Sequence, residues 1–177
     1  MRLNLGSGGA KLPGWTNVDC ETFENPDVVC DLGREIWPWR NSSVDEARAS
    51  HLLEHLPGES FFHFLRELYR VLKPNAPVHL ILPWPRHDIF LNDPTHVRAV
   101  MPATMVMFSR KYIRMLAEQG KFLTDFGARN KIDFELDPKI LYKFSDGVDT
   151  NDPELAWKAA HLNNIIFEWH GTMRAIK

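Results

Sequence analysis

Near the start of the sequence, a glycine-containing triplet and two later aspartates are spaced as a nucleoside-binding site requires. Gly6-Ser7-Gly8 follows the apolar stretch Leu3–Leu5, and Asp19 and Asp31 each follow a later apolar stretch. Glycine lets the backbone approach a ligand closely. One carboxylate can accept hydrogen bonds from the two hydroxyls of a ribose, and another from an exocyclic amine such as that of adenine. Each acid alone is typical of a turn, but this order of glycines and acids predicts a site for an adenosine-containing ligand.

The glycine loop does not match two common nucleotide-binding motifs. A dinucleotide fingerprint has the pattern G-x-G-x-x-G at the start of a helix, with an acid about 20 residues further on. Here the third glycine is missing, and Asp19 lies 13 positions after Gly6. The Gly-Lys-Ser/Thr ending of a Walker loop is also missing from the sequence. These differences count against a nicotinamide dinucleotide and against a Walker-type nucleotide site.

A second cluster of polar residues, "RHDIFLNDPTHVR", occupies residues 86–98. Two interpretations stay open. The cluster is either a polar surface loop with a turn at Asp93-Pro94, or part of a substrate pocket. In the second interpretation His96 is the candidate general base, because imidazole titrates near neutral pH. Asp93 would then orient His96, as carboxylates do in other His–carboxylate pairs.

The stretch His51-Leu52-Leu53-Glu54-His55 fits H-x-x-E-H, a motif of one class of zinc proteases. That motif needs a helix that places both histidines on one face, together with a distant third ligand. A strand precedes this stretch and Pro57 follows it, so at most one turn can be helical. We therefore expect no metal here, and we expect Glu54 and His55 to serve packing and polar contacts.

The elements that position these residues alternate between strands and helices. In the segment 59–73 the apolar residues recur at helical spacing, which predicts an amphipathic helix that ends before Pro74. Together with the strand predicted at 77–83 it forms a strand–helix–strand unit, which is typical of a parallel sheet. The other predicted strands are 3–5, 16–18, 27–31, 44–50, 131–138 and 164–177, the last two as an antiparallel pair at the sheet edge; further helices are predicted at 104–119 and 153–160.

These elements predict one α/β domain over residues 1–177, with a Rossmann-like, mostly parallel sheet and an antiparallel edge strand. Parallel neighbours usually need a crossover of a dozen or more residues. Residues 6–15 supply only ten between the first two strands. We therefore expect an α/β/α sandwich whose helical layer is reduced on one face. That face should carry an apolar patch which a second copy of the chain could cover, as a homodimer.

Composition narrows the class of protein. The 177 residues carry a formal net charge of −2, whereas general polyanion binders are usually strongly basic. No apolar run approaches the roughly 18 residues that a membrane span needs, so no membrane partner is expected. The two cysteines, without a secretion signal, fit a reducing compartment. A cytoplasmic location is the expectation.

The segments "LNLGSG", "NVD", "DVVCDL", "SHLLEHL" and "LRELYRVLKPNAPVHLILP", in this order, resemble the class I methyltransferases that use S-adenosylmethionine. The resemblance runs from residue 3 to about residue 83, and more loosely to residue 110. It implies S-adenosylmethionine as cofactor, with the glycines beside its methionine part, Asp19 on the ribose and Asp31 facing the adenine. The complete set of cofactor-binding residues that it implies is Leu5, Gly6, Ser7, Gly8, Asp19, Asp31, Leu32, Ser50 and His51.

The resemblance implies methyl transfer to an acceptor that the sequence does not identify. A small molecule, a sugar or an exposed side chain is favoured, because no recognition domain is expected. Nucleic acid is less favoured, since the Asn/Asp-Pro-Pro-Tyr/Phe signature is missing and "SHLL" starts at residue 50. His51, beside the sulfonium, joins His96 and Asp93 as a catalytic candidate. The alternative is a non-catalytic protein that binds S-adenosylmethionine and activates or stabilises a partner.

Overall fold

In the computed structural model, which describes all 177 residues, eight strands form one sheet in the order β3-β2-β1-β4-β5-β8-β6, and β7 also pairs with β8. The strands β1 to β5 are parallel, and β8 runs antiparallel to its neighbours. The strands are β1 (Arg2–Leu5), β2 (Thr16–Asp19), β3 (Val28–Val29), β4 (Glu46–Ser50), β5 (Pro77–Pro83), β6 (Phe134–Leu136), β7 (Leu141–Phe144) and β8 (Ile166–Ala175). The mostly parallel α/β prediction is confirmed.

Six α-helices accompany the sheet: α1 (Gly58–Val71), α2 (Asp88–Leu91), α3 (Pro102–Val106), α4 (Arg110–Glu118), α5 (Phe126–Asn130) and α6 (Leu155–His161). Helix α1 and strand β5 lie where the apolar spacing predicts them. The single helix predicted at 104–119 is wrong, because two helices meet at Ser109, whose side chain accepts the backbone N–H of Tyr112 and caps α4. Sequence reasoning missed α2, α5 and β7, which have no clear apolar period. None of the helices is long and apolar enough to cross a membrane.

The two faces of the sheet differ in chemistry. Residues that pair across parallel strands share a face, and side chains alternate between faces along each strand. Ala47, Ala49 and Leu80 are fully buried and join the apolar side of α1 in the main core. On the opposite face Arg48 pairs with His79, and both are only half-buried. The expected apolar patch on the less covered face is therefore wrong, because polar side chains occupy the alternate positions there: Arg48 donates to Asn4, and His79 contacts Glu46.

A buried amide network takes the place of the missing helix between β1 and β2. Asn4 on β1 and Asn17 on β2 are both buried, and Asn4 Nδ2 donates to Asn17 Oδ1 at 2.9 Å. Asn4 Nδ2 also reaches the Ala10 carbonyl at 3.0 Å, and the Leu12 N–H donates to Asn17 Oδ1 at 2.8 Å. The connection therefore folds back over its own strands as a loop without a helix. The prediction of a lost or shortened helix is confirmed.

Glu67 on α1 fixes the long connection between β3 and β4. Its carboxylate accepts the Trp37 N–H at 2.8 Å and two guanidinium N–H groups of Arg70, at 2.8 and 2.6 Å. Arg70 in turn donates to the carbonyl groups of Trp37 and Trp39. Burial disfavours the ionised form of Glu67, but the hydrogen bonds from Arg70 and Trp37 outweigh it and lower the pKa of this carboxyl.

Replacing Glu67 with alanine is expected to lower the free energy of unfolding by about 2–4 kcal/mol, because the buried Trp37 N–H and the Arg70 guanidinium lose their acceptor. Since the folded-state pKa of Glu67 lies below the unfolded one, this contribution is present above the unfolded pKa. It is lost as pH falls through the folded pKa. Urea unfolding at several pH values measures both effects. Glu59→Ala, which breaks an exposed pair with Arg66, should cost under about 1 kcal/mol.

Candidate active site

A small cleft of about 80 Å³ opens at the carboxyl ends of β1, β2 and β3. This volume is below the roughly 300–1,000 Å³ of typical ligand sites, so the cleft encloses only part of a nucleoside-sized ligand. In open α/β sheets, ligands bind at this end of the strands. Glycine, carboxylate, thiol and leucine side chains make its walls: Gly6, Asp19, Cys20, Cys30, Asp31, Leu32, Gly33, Leu52 and Leu56.

The cleft brings the two predicted acids and the first glycine together. Gly6 has a φ of +64°, a left-handed conformation that suits glycine. Asp19 Oδ2 accepts the Gly8 N–H at 2.8 Å and Asp19 Oδ1 accepts the Glu21 N–H at 3.0 Å. Each carboxylate oxygen has a second lone pair, so both can still accept a ligand hydroxyl. Asp31 Oδ1 accepts the Gly33 N–H at 3.0 Å and retains the same capacity.

This donor and acceptor set fits an adenosine group. The acids can accept ribose hydroxyls and an exocyclic amine, while Leu32, Leu52 and Leu56 provide an apolar surface for a base. A Cβ atom built on Gly6 would come within 2.9 Å of Leu52 Cδ1, so a side chain here would push into the wall. Ser7 Oγ is buried without a hydrogen-bond partner, which leaves one polar atom beside the loop unsatisfied.

His51 lies directly beyond the end of β4 with a φ of +48°, a left-handed conformation that is uncommon for a residue other than glycine. Its N–H donates to the Ile81 carbonyl at 2.9 Å, which fixes the backbone there. The ring contacts two carboxylates: Nε2 is 2.9 Å from Glu168 Oε2 and Nδ1 is 3.4 Å from Glu54 Oε1. Glu54 and then Glu168 raise the pKa of His51 against the opposing effect of burial.

Glu168 on β8 is a buried carboxylate with three basic neighbours. Its Oε1 atom lies 2.9 Å from His170 Nε2 and 3.6 Å from Lys143 Nζ, and its Oε2 atom faces His51. Burial disfavours ionisation of Glu168, but the hydrogen bonds from His170 and His51 and the charge of Lys143 outweigh it. The pKa of Glu168 is therefore lowered, and the carboxylate is ionised at neutral pH.

His96 lies on the other side of Glu54. Its side chain is only 6% exposed, and Nδ1 is 2.9 Å from the Phe90 carbonyl. Its Nε2 atom is 3.7 Å from Asp93 Oδ2 and 4.0 Å from Glu54 Oε1. Asp93 Oδ1 accepts both the N–H and the hydroxyl of Thr95, at 2.8 and 2.6 Å, and these bonds lower the pKa of Asp93. Asp93 is thus near His96 but held mainly by Thr95.

Comparison with known proteins gives a partial match to one family model and a shared fold. A family model described as a methyltransferase domain matches residues 15–80. No curated protein sequence matches the chain. An S-adenosylmethionine-dependent methyltransferase from Archaeoglobus fulgidus superposes over 98% of this chain and 85% of its own, with a TM-score of 0.66 and 16% identity.

Two further archaeal structures share the fold. An S-adenosylmethionine-dependent methyltransferase from Methanosarcina mazei covers 99% of this chain and 92% of its own, with a TM-score of 0.59 and 14% identity. A protein solved in complex with the Haloferax volcanii Trm112 methyltransferase activator covers 98% and 81%, with a TM-score of 0.55 and 13% identity. The chain therefore has the fold of S-adenosylmethionine-dependent methyltransferases, and part of it matches the family model of a methyltransferase domain.

The fold brings together some of the predicted cofactor-binding residues and not others. Gly6, Asp19, Asp31 and Leu32 line the cleft. Leu5 and Ser7 are buried beside it, Gly8 contributes its N–H to Asp19, and Ser50 and His51 lie at the neighbouring strand end. The cofactor-binding roles of all nine residues stay predictions.

Several residues at this end of the sheet were not singled out from the sequence. Leu52, Leu56 and Gly33 line the cleft together with Cys20 and Cys30, which directly adjoin the two predicted acids in the sequence. Glu168 could not be found by spacing, since 117 positions separate it from His51. Glu54 had a signal in the H-x-x-E-H pattern, but its full burial without a hydrogen-bond partner appears only in the fold.

Proposed function

We propose that this protein is a methyltransferase that uses S-adenosylmethionine. Its acceptor would be a small molecule, a sugar or an exposed side chain whose accepting atom carries a proton, such as a hydroxyl or an amine. The observation that carries this proposal is the pair of His51 and Glu168, 2.9 Å apart at the end of β4. Strand β4 is hydrogen-bonded to β1, so this pair lies beside the strand that leads into the glycine loop. A histidine held by a carboxylate next to a cofactor cleft is suited to accept a proton.

Asp19 and Asp31 would hold the ribose and adenine groups, with the leucines of the cleft against the base. When bound, S-adenosylmethionine supplies an electrophilic methyl group on its sulfonium sulfur. The main contribution of the chain is then alignment, because positioning two reactants supplies a large part of the rate of such a displacement. The rigid ends of β1 and β4 provide that positioning.

His51 is a better candidate than His96 for the group that takes the proton from the acceptor. The His51 side chain is 36% exposed, while that of His96 is only 6% exposed, so an acceptor can reach His51 more readily. Glu168 accepts the Nε2–H of His51, which leaves Nδ1 as the nitrogen that takes the proton. Ionised Glu168 stabilises the imidazolium that forms on His51. We propose His51 as the base.

We also propose a cytoplasmic location, because Cys20 and Cys30 are both free thiols.

Calorimetric titration with S-adenosylmethionine and with S-adenosylhomocysteine tests the cofactor site first. We expect micromolar binding of both at one site per chain. Incubation of the protein with methyl-labelled S-adenosylmethionine and a cell extract then tests transfer. Label in the small-molecule or carbohydrate fraction supports the proposed acceptor class, whereas label confined to nucleic acid would overturn it. Binding without transfer into any fraction would favour the non-catalytic alternative.

A further inference from the structure

Glu54 is a buried acid for which the fold provides no hydrogen bond. Its side chain is 1% exposed, and neither Oε1 nor Oε2 has a hydrogen-bond partner. An ionised carboxylate in such a position is strongly unfavourable unless a cation lies beside it. The nearest basic side chains are the imidazoles of His51, His55 and His96, with His51 Nδ1 3.4 Å from Glu54 Oε1. No lysine or arginine forms an ion pair with Glu54.

Two histidines meet at this carboxylate. One ligand atom each from Glu54, His55 and His96 lie within 4.8 Å of one another. The rings of His55 and His96 have their centres 4.6 Å apart. His55 follows Glu54 directly in a short 3-10 turn, whereas His96 comes from the loop after α2. These three side chains therefore come together without the helix, with two histidines on one face, that the H-x-x-E-H motif would need.

The hydrogen bonds of His96 fix the tautomer that a metal ligand requires. Nδ1 of His96 donates its proton to the Phe90 carbonyl at 2.9 Å, because a carbonyl oxygen can only accept. Nε2 then carries a free lone pair, and it is the atom that faces Glu54 at 4.0 Å. Metal-binding histidines usually donate their other ring N–H to a carbonyl or carboxylate in this way.

The hydrogen bond between His55 and Thr95 fixes the tautomer of His55 in the same way. The Thr95 hydroxyl has one proton and donates it to Asp93 Oδ1 at 2.6 Å. Thr95 Oγ1 therefore accepts from His55 Nδ1, at 2.8 Å. The lone pair of His55 is left on Nε2. Asp93 and Thr95 thus act as outer partners of the set, which is the arrangement found around metal sites.

We propose that Glu54, His55 and His96 bind one divalent transition-metal ion of the zinc type. Two imidazole nitrogens and one carboxylate oxygen make a ligand set that such ions accept, and three protein ligands leave a coordination position open. Bonds of about 2.0–2.2 Å in a tetrahedral site place ligand atoms roughly 3.3 Å apart. Glu54 Oε1 and His96 Nε2, at 4.0 Å, need only a small approach to reach that spacing. The ion would supply the missing charge beside Glu54.

The test is titration of the chelator-treated full chain with Zn²⁺, followed by calorimetry, and with Co²⁺, followed by visible absorption. We expect one ion per chain and the intense absorption that Co²⁺ shows in a tetrahedral site. His55→Ala removes a half-buried ligand with little risk to folding, and Glu54→Gln keeps the shape of the buried side chain. Each should weaken Zn²⁺ binding by at least roughly tenfold, because loss of even an outer hydrogen-bond partner of a metal ligand typically costs 10–100-fold in affinity.

His170→Ala is the matched control, because His170 also pairs with a glutamate, Glu168, but belongs to the neighbouring cluster. It should bind Zn²⁺ as the wild-type chain does. The proposal is overturned if the wild-type chain takes up no ion at one equivalent, or if His55→Ala binds Zn²⁺ with unchanged affinity. It is also overturned if His170→Ala loses binding as His55→Ala does. These readouts are independent of methyl transfer, so failure of either proposal leaves the other standing.

Discussion

Replacing Asp19 with alanine is expected to weaken binding of S-adenosylmethionine by at least about a hundredfold. The proposed role of Asp19 is to accept the two ribose hydroxyls. A hydrogen bond to a charged group contributes about 1.5–3 kcal/mol, and about 1.4 kcal/mol corresponds to a factor of ten in affinity. Loss of two such bonds therefore gives two or more powers of ten. Calorimetric titration of the variant with S-adenosylhomocysteine, which keeps the ribose, should show the same loss.

Asp19 also holds the glycine loop, through the Gly8 N–H at 2.8 Å, so the variant needs a structural control. Glu21→Ala removes an exposed acid two residues away and leaves the Glu21 N–H in place. It should bind the cofactor with nearly unchanged affinity. Thermal unfolding of both variants separates a loss of ligand contacts from a loss of the fold. If Asp19→Ala folds and binds as tightly as the wild-type chain, the assignment of the ribose site to the end of β2 is wrong.

The parallel sheet could be predicted because its elements have strong local signals. Helix α1 carries its apolar residues at one spacing, and Pro74 ends it, so its face and its limits follow from the sequence. Strand β5 is an apolar run interrupted only by His79, and the sequence predicts its observed limits, Pro77–Pro83. The short helices and strands after β5 show no clear regular spacing of apolar residues. They are held by contacts with distant residues, such as that of Asn130 with Arg66.

The uncovered face shows where reasoning from one sequence stops. The ten residues between β1 and β2 correctly indicated that a helix is missing there. The loss of a helix suggested an apolar patch, yet the structure places Asn4 and Asn17 under the loop and Arg48 and His79 on the open face. These residues sit at alternate positions of the strands. The alternation of polar and apolar residues in β4, "EARAS", was the available signal of a face in contact with water.

Only those parts of the candidate site that lie within a single strand end and its loop could be predicted from the sequence. The glycines and the two acids are each local features, and they meet because parallel strands end at one edge of the sheet. The pairing of His51 with Glu168 depends on β8 inserting next to β5, which no local pattern of residues specifies. The same holds for His96, which reaches Glu54 from a loop 42 positions later.

Replacing His51 with asparagine should reduce methyl transfer by about 10²–10⁴-fold and leave cofactor affinity within a few fold of wild type. The range is the usual contribution of a positioned acid or base. Asparagine tolerates the left-handed backbone that His51 adopts, at a φ of +48°, so the end of β4 should keep its shape. It can hydrogen-bond to Glu168 but cannot take a proton from the acceptor. Label transfer into a cell extract, measured beside calorimetric titration with S-adenosylmethionine, separates the two effects.

The matched control is His79→Asn, since His79 is also held by a glutamate, Glu46, at 2.9 Å but on the open face of the sheet. It should retain turnover. Full turnover by His51→Asn would overturn the proposed base, and a selective loss in His96→Ala would return that role to His96, the first choice from the sequence. In the non-catalytic alternative none of these changes alters any transfer, because there is none to lose, while Asp19→Ala still weakens binding. The variants Asp19→Ala and His51→Asn together therefore distinguish an enzyme from a non-catalytic protein that only binds the cofactor.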